Sequence, residues 1–274
     1  MKIALSVGVQ QTTYRDIAFA GDFERTATRL AELGYDGAEL QIRDPETLDV
    51  PALKAVLARY GLAMPVIATG LAWTEEGLSF TDPDPAVRAA AVARIKAQIR
   101  LAAELETMVM LGLLRGRHAG RVNREQADPW LLEALVECAD YSAPLGVRIV
   151  IEPIDRFEVD QIHSTQDGLA LLDRLGYGHV GLVLDTFHLN IEDVSFEESI
   201  RQAGPRLFHF HLSDSNRGYP GAGHIDFASI IRTLREIGYT GFVSGEFMPK
   251  PDADTAARRC IEHMRPLLKQ TKDQ

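Results

Sequence analysis

The chain has little cysteine and no long apolar segment. Only two of its 274 residues are cysteines, Cys138 and Cys260, and both lie within amphipathic patterns. That placement predicts two buried thiols and argues against a disulfide or a thiolate-rich metal site. No uninterrupted apolar run approaches the roughly 18 residues of a membrane-spanning helix, and no charged-then-apolar leader precedes the first strand-like run. We therefore expect a reduced, cytoplasmic protein.

An excess of positive charge is also missing. Lys and Arg number 29 against 39 Asp and Glu, which gives a formal net charge of −10. Proteins that bind duplex nucleic acid concentrate positive charge, so this balance disfavours nucleic acid as a partner, whereas a small-molecule substrate makes no such demand. No glycine-rich fingerprint follows the first strand-like run, which weighs against an open, doubly wound sheet as the alternative fold.

The sequence does contain a regular alternation of apolar runs and amphipathic segments. The runs predict strands over residues 2–7, 36–42, 64–69, 108–113, 148–152, 180–185, 207–213 and 242–247. The amphipathic segments predict helices over residues 23–33, 51–60, 84–106, 129–145, 165–175, 196–203, 227–237 and 255–268. Strands that alternate with helices pair in parallel through crossovers. We therefore predict an α/β fold, a single-domain (β/α)8 TIM barrel over residues 1–274.

Four side chains of metal-ligand type stand at the ends of the last four predicted strands. They are Glu152, Asp185, His211 and Glu246. The carboxyl ends of barrel strands converge on the face where active sites lie. One acidic residue at a strand end is often a helix cap, but four ligand-type residues at successive strand ends predict a metal site. Three carboxylates and one imidazole suit Mn²⁺, and Co²⁺ or Mg²⁺ would also fit.

Further polar residues follow the same strands. Glu158, His188 and Arg217 are predicted to lie in the loops above them, a placement that favours substrate contact over simple solvation. His209 lies two residues before His211 on the same strand face and is predicted to be a deeper, core histidine. Glu39, at the end of the second predicted strand, is a weaker candidate for the pocket.

Five segments make the chain recognisable. They are IEPIDRFE (151–158), LDTFHLN (184–190), HFHLSDSNR (209–217), GHIDF (223–227) and SGE (244–246). Over nearly the whole chain the sequence resembles the xylose-isomerase-like sugar epimerases and isomerases, and among these the ketose 3-epimerases of the D-tagatose 3-epimerase group. Three N-terminal segments, AFAGD (18–22), GLSFTDP (77–83) and GLLRGR (112–117), are most similar to the 5-keto-L-gluconate epimerase branch.

The resemblance implies a divalent-metal-dependent epimerase of a keto sugar or keto sugar acid. The four strand-end residues would hold one Mn²⁺-like ion, and Glu152 and Glu246 would also be the catalytic acid/base pair. Glu158, His188 and Arg217 would contact substrate hydroxyl or carbonyl oxygens. Removing a proton beside a carbonyl and returning one to the opposite face, through a metal-stabilised enediolate, needs two carboxylates and a Lewis acid. The resemblance also implies a homodimer or homotetramer.

A basic loop follows the fourth predicted strand and contains Arg115, Arg117, His118 and Arg121. A solvated loop and a substrate-binding loop are equally consistent with this pattern. In the second interpretation Arg115 pairs with a substrate carboxylate, which favours a keto sugar acid over a neutral ketose. At residue 155 this chain has an aspartate, whereas many ketose 3-epimerases carry an amide there.

Other functions share this barrel. A neutral ketose 3-epimerase of the D-tagatose or D-psicose type is the main alternative, followed by a hydroxypyruvate-type isomerase and an inosose dehydratase. An abasic-site endonuclease would need additional zinc-binding histidines and a basic surface, which a net charge of −10 disfavours. A non-catalytic sugar-binding protein would not need two metal-bound glutamates.

Overall fold

Eight parallel strands close into a barrel in the order in which they occur along the chain, and the eighth pairs with the first. The computed structural model describes residues 1–117 and 120–269. The strands are β1 (Lys2–Gly8), β2 (Gly37–Gln41), β3 (Val66–Ala68), β4 (Met108–Leu111), β5 (Ile149–Ile151), β6 (Val180–Asp185), β7 (Leu207–Leu212) and β8 (Phe242–Gly245). The predicted TIM barrel is confirmed, with most strands slightly shorter than predicted.

Helices follow the strands and surround the barrel. In the described part of the chain they are α1 (Phe23–Leu33), α2 (Val50–Tyr60), α3 (Leu71–Thr74), α4 (Pro85–Glu104), α5 (Arg124–Ser142), α6 (Thr165–Leu175), α7 (Thr186–Glu192), α8 (Phe196–Ala203), α9 (Phe227–Glu236) and α10 (Ala253–Lys269). None of these helices is long and apolar enough to cross a membrane.

Local side chains fix the helix ends. Asp22 accepts a bond from the backbone N–H of the third residue of α1, and Asp49 caps α2 in the same way. Both helices end at a glycine in the left-handed region, Gly34 at φ 86° and Gly61 at φ 65°. A residue without Cβ takes this conformation at little cost, so these two helices end where the sequence predicts.

The start of α5 differs from the prediction. Asn123 and Gln126 cap each other's backbone N–H groups, at 2.9 and 3.3 Å. This reciprocal capping box starts the helix at Arg124, so the prediction of a start at residue 129 is wrong. Pro129 lies inside the helix instead.

The short helix α7 was not predicted. Asp185 ends β6, and its Oδ1 accepts the backbone N–H of Phe187 at 2.8 Å, which caps a new helix at once. The segment Thr-Phe-His has little intrinsic helix propensity, so the cap and the packing decide its structure. His188 therefore lies on a helix, and the prediction that it lies in a loop is wrong.

Apolar side chains fill two regions of the fold. Alternate strand residues, such as Leu5, Leu40 and Ile151, face outward and pack beneath the helices. The others face the barrel interior, where residues of β3 to β6 form a separate apolar cluster. Cys138 and Cys260 are buried and free, as predicted.

Candidate metal centre

Four buried side chains converge at the carboxyl ends of β5 to β8. Glu152 and Glu246 directly follow β5 and β8, Asp185 ends β6, and His211 is the penultimate residue of β7. One ligand atom from each lies within 4.8 Å of those of the other three. Nδ1 of His211 is 3.5 Å from Oε1 of Glu152 and 3.5 Å from Oε2 of Glu246. The structure thus brings together the four residues that the sequence predicts as metal ligands.

The donor set fits a divalent cation. Oε1 of Glu152 and Nδ1 of His211 are buried and have no hydrogen-bond partner among the residues described. Leaving buried polar atoms unpaired costs free energy, and a cation bound between them would satisfy both. Three carboxylates and one imidazole suit a hard or borderline ion such as Mn²⁺ or Mg²⁺.

A glycine on the neighbouring strand end makes room for Glu152. Gly112 follows β4, and a Cβ at this position would lie 2.6 Å from Oε2 of Glu152 and 3.1 Å from Cδ1 of Ile154. Both contacts are too close for the side chains to keep their present positions. Any side chain at residue 112 would therefore displace the Glu152 carboxylate.

Arg217 supplies positive charge to the acidic cluster. Its buried guanidinium donates to Asp185, to Oε2 of Glu246 at 2.8 Å and to Oδ2 of Asp16 at 3.2 Å. Its backbone lies in the left-handed region at φ 58°, where its N–H bonds the carbonyl of Asp214 at 2.9 Å. Such a backbone costs a non-glycine residue about 1 kcal/mol. The surrounding contacts hold the arginine there.

The loop that carries Arg217 is folded around one carboxylate. Asp214 accepts bonds of 2.8–3.1 Å from the backbone N–H groups of Ser215, Gly221 and Ile225. A Cβ on Gly223 would lie 2.3 Å from Oδ1 of Asp214, so the chain passes there only as glycine. Asp214 was not predicted as part of the site. The polar run Ser-Asp-Ser-Asn after β7 is the turn signal that could have found it.

Members of the cluster shift one another's proton affinity. Burial raises the pKa of Glu246 to about 7, against the opposing effect of His211 and Arg217. For His211 burial disfavours the charged ring, but Glu39 and Glu246 outweigh it and hold the pKa well above its usual value. Glu246 therefore titrates near neutral pH in the metal-free protein, where a carboxyl group can both take and return a proton.

Asp155 holds His188 in place. Oδ2 of Asp155 lies 2.8 Å from Nδ1 of His188, and both side chains are buried. Burial disfavours charge on the ring, but the bond to Asp155 and the negative charge of Asp185 together outweigh it and raise the pKa of His188. Glu158 and His188 both line the cavity beside the four grouped residues. Asp155 is thus a support for one of the predicted substrate contacts.

The basic loop does not present Arg115 to that cavity. Arg115 is fully buried, its guanidinium has no hydrogen-bond partner among the described residues, and it is not part of the cavity wall. Burial lowers its pKa to about 10, and the charge of Glu152 opposes this shift. Arg121 pairs with Asp82 at 2.6 Å, and His118 lies outside the described residues. The contact between Arg115 and a substrate carboxylate stays a prediction.

Three residues near the site were not predicted. Gln41, at the end of β2, donates from Nε2 to Oε1 of Glu246 at 3.0 Å. Asp16 bonds to Arg217 from the loop after β1. Tyr14, on the same loop, lines the cavity, and burial followed by the charge of Glu246 raises the pKa of its phenol well above the usual value. The long loop between β1 and α1 was the available signal, because such loops form the catalytic face of a barrel.

The cavity at the site is small. Tyr14, Glu158, His188 and Arg217 are among its lining residues, and its volume of about 20 Å³ leaves room for about one water molecule. The lining side chains must therefore move to admit any ligand larger than a water molecule. A larger cavity of about 540 Å³ opens at the opposite end of the barrel beside Arg148, but none of the grouped carboxylates lines it. That end of a barrel serves stability rather than catalysis.

Comparisons with known proteins agree with this architecture. The profile of the family described as "Xylose isomerase-like TIM barrel" matches residues 27–267. An L-ribulose 3-epimerase of Methylomonas sp. is 31% identical over 84% of this chain and 82% of its own length. A D-psicose 3-epimerase of Agrobacterium fabrum is 30% identical over 84% of this chain and 81% of its own. The solved structure of a D-allulose 3-epimerase from Methylomonas sp. in complex with D-allulose gives a TM-score of 0.81 at 26% identity, over 97% of this chain and 96% of that one.

Proposed function

The chain belongs to the xylose isomerase-like TIM barrel family, and from that premise we propose that it is a metal-dependent 3-epimerase of a neutral ketose. The observation that carries the proposal is the buried group of three carboxylates and one imidazole, with ligand atoms within 4.8 Å of one another. Relatives named L-ribulose 3-epimerase and D-psicose 3-epimerase support a neutral ketose over the keto sugar acid of the 5-keto-L-gluconate epimerase branch.

Epimerisation beside a carbonyl needs two proton-transfer groups. One takes the proton from carbon 3, and the other returns a proton to the opposite face of the substrate. Glu152 and Glu246 are the candidates, because both carboxylates belong to the buried group and both line the cavity. A divalent ion held by these glutamates with Asp185 and His211 would act as a Lewis acid for the negative charge that develops on the substrate oxygens.

Three further side chains would orient the sugar. Arg217 is tied to Asp185 and Glu246, so it fixes two proposed ligands while its guanidinium lines the cavity. His188, with its ring held by Asp155, and Glu158 line the same cavity and can bond sugar hydroxyl or carbonyl oxygens. Holding the reacting carbon in one orientation accounts for much of the rate of such enzymes.

The arginines near the site support a neutral substrate. Among the described residues that line the cavity, the only arginine is Arg217, and its charge is already paired with Asp185, Glu246 and Asp16. Arg115 is buried away from the cavity wall. Within the described lining, a substrate carboxylate would therefore find no arginine free to pair with it. The Mn²⁺ identity, a homodimer or homotetramer, and the cytoplasmic location stay predictions.

A substrate screen tests the proposal. Metal-stripped protein is supplemented with Mn²⁺, Co²⁺ or Mg²⁺ and given L-ribulose, D-psicose, D-tagatose or 5-keto-L-gluconate, and the products are identified by NMR. We expect carbon-3 epimers of at least one neutral ketose, formed only with added metal. Turnover confined to the carboxylated substrate would contradict the choice of substrate, and loss of water would indicate a dehydratase.

A further inference from the structure

A group of hydrogen bonds crosses the barrel interior beside the proposed metal ligands. Oε2 of Glu39, on β2, lies 2.8 Å from Nε2 of His209 and 3.0 Å from Nε2 of His211, both on β7. Strands β2 and β7 do not pair, because β1 and β8 lie between them. All three side chains are essentially inaccessible to solvent. The contact is therefore made across the interior and is not a neighbour effect within the sheet.

The direction of these bonds fixes which nitrogen keeps the proton when each histidine ring is neutral, the form that binds a metal. A carboxylate oxygen only accepts, so Nε2 is the donor in both rings. With its proton on Nε2, the neutral ring of His211 has its lone pair on Nδ1, and Nδ1 faces Glu152 and Glu246 at 3.5 Å each. Nδ1 is also the His211 atom that has no hydrogen-bond partner among the described residues. Glu39 thus leaves free the nitrogen that a cation would need.

His209 bonds the same oxygen of Glu39 as His211 does. The rings of His209 and His211 meet edge to face, with centroids 5.1 Å apart and planes at 87°. This arrangement brings both Nε2 atoms to a single oxygen of Glu39. His209 was predicted to be a core histidine and is indeed buried. Its bond to Glu39 also restrains the position of that carboxylate.

A contribution to fold stability does not explain why Glu39, His209 and His211 are buried together. A carboxylate inside a barrel is costly, and Oε1 of Glu39 and Nδ1 of His209 have no partner among the described residues. Apolar side chains such as Val66 and Val150 fill the interior elsewhere without that cost. The buried charge is better explained by what it orients.

We propose that Glu39 is a positioning residue for the metal centre, which selects the Nε2–H tautomer of His211 and fixes the orientation of its ring. His209 in turn holds Glu39. The proposal rests on the proposed metal site and adds a residue that would not touch substrate. In metal proteins, removing a group that orients a ligating histidine weakens metal binding by about 10- to 100-fold.

The test is metal affinity, measured without catalysis. Metal-stripped wild type, Glu39→Gln and Glu39→Asp are titrated with Mn²⁺ by calorimetry, and their unfolding temperatures are recorded with and without Mn²⁺. We expect a dissociation constant raised about 10- to 100-fold in Glu39→Gln, and a smaller increase in Glu39→Asp, which keeps the charge. At saturating Mn²⁺, kcat should recover toward wild type, with KM for sugar unchanged.

Ser244→Ala is the matched control. Ser244 is buried on β8, and its Oγ has no partner among the described residues, so its loss should leave Mn²⁺ affinity as in wild type. An unchanged dissociation constant in Glu39→Gln, with only a lower unfolding temperature, would overturn the positioning role. If Glu39→Gln does not fold, the same Mn²⁺ affinity in Glu39→Asp and wild type would overturn it. Wild type that binds no Mn²⁺ would instead refute the metal site itself and this inference with it.

Discussion

The two sides of the barrel interior are filled with different side chains. On the side of β3 to β6 the fill is apolar and comprises Val66, Ala68, Met108, Met110, Val150 and Val183. On the side of β7, β8, β1 and β2 it is polar and comprises Ser6, Glu39, Gln41, His209, His211 and Ser244. The strand geometry is the same on both sides. It decides which residues face inward but not whether those residues are polar or apolar. We infer that the apolar side mainly stabilises the fold, whereas Glu39, Gln41, His209 and His211 on the polar side orient the site.

The largest expected effect comes from the acid/base pair. Glu246→Gln keeps the shape of the side chain but removes its proton-accepting oxygen and one metal ligand. We expect kcat to fall by about 10³-fold with little loss of folded protein, because general acid–base catalysis contributes 10²–10⁴-fold. Steady-state kinetics at saturating Mn²⁺ and circular dichroism measure the two quantities. Activity within threefold of wild type would refute the role of Glu246.

A substitution on the apolar side should do the opposite. Met108→Ala removes a buried side chain of the β3 to β6 cluster and should lower the free energy of unfolding by about 2–5 kcal/mol, because a cavity remains. Urea unfolding of metal-free protein measures this loss. Mn²⁺ affinity should stay within twofold of wild type. A tenfold weaker affinity would contradict the separate roles inferred for the two sides of the barrel interior.

Gly112 tests both sides at once. It follows β4 on the apolar side, yet it lies next to Glu152, a proposed metal ligand. Gly112→Ala places a Cβ 2.6 Å from Oε2 of Glu152 and so displaces that carboxylate. We expect Mn²⁺ affinity to fall by about 10- to 100-fold, as for other changes that misplace a ligand. Titration calorimetry measures it. Gly70→Ala is a control, because the atoms nearest to a Cβ there belong to Leu113, at ordinary contact distances from 3.5 Å.

The smallest effect is that of pH on the polar side. Glu246 has a pKa of about 7 in the metal-free protein, so below this pH a proton competes with the metal for its carboxylate. Mn²⁺ affinity should therefore rise with pH by about tenfold per unit for each displaced proton. The rise should continue above pH 7, because His211, whose pKa is also raised, must lose a proton as well. Calorimetric titrations between pH 5.5 and 8 follow this trend. The same affinity at both ends of the range would contradict it.

The grouping of the four strand-end residues could be predicted because it depends on a simple rule. Each βα unit brings the end of one strand to the same face, so Glu152, Asp185, His211 and Glu246 were found from spacing and residue type alone. The barrel followed from the same alternation. The family resemblance added roles for these residues, and the finer branch that it suggested stays a prediction.

The remaining parts of the site depend on contacts between distant segments. Glu39 meets His209 and His211 across 170 and 172 residues of sequence, and Asp16 meets Arg217 across 201. Local pattern contains no information on such pairs. The burial of Arg115 could not be predicted either, since a basic loop that follows a strand looks the same whether its arginine points outward or inward.

The position of deuterium after turnover tests the central claim most directly. Protein loaded with Mn²⁺ is incubated with L-ribulose or D-psicose in D₂O, and the labelled carbon is located by NMR. We expect exchange at carbon 3 of a neutral ketose, abolished in Glu246→Gln and in metal-stripped protein. Exchange at carbon 1 would show an aldose–ketose isomerase instead, and no exchange into any neutral ketose would contradict the assigned function.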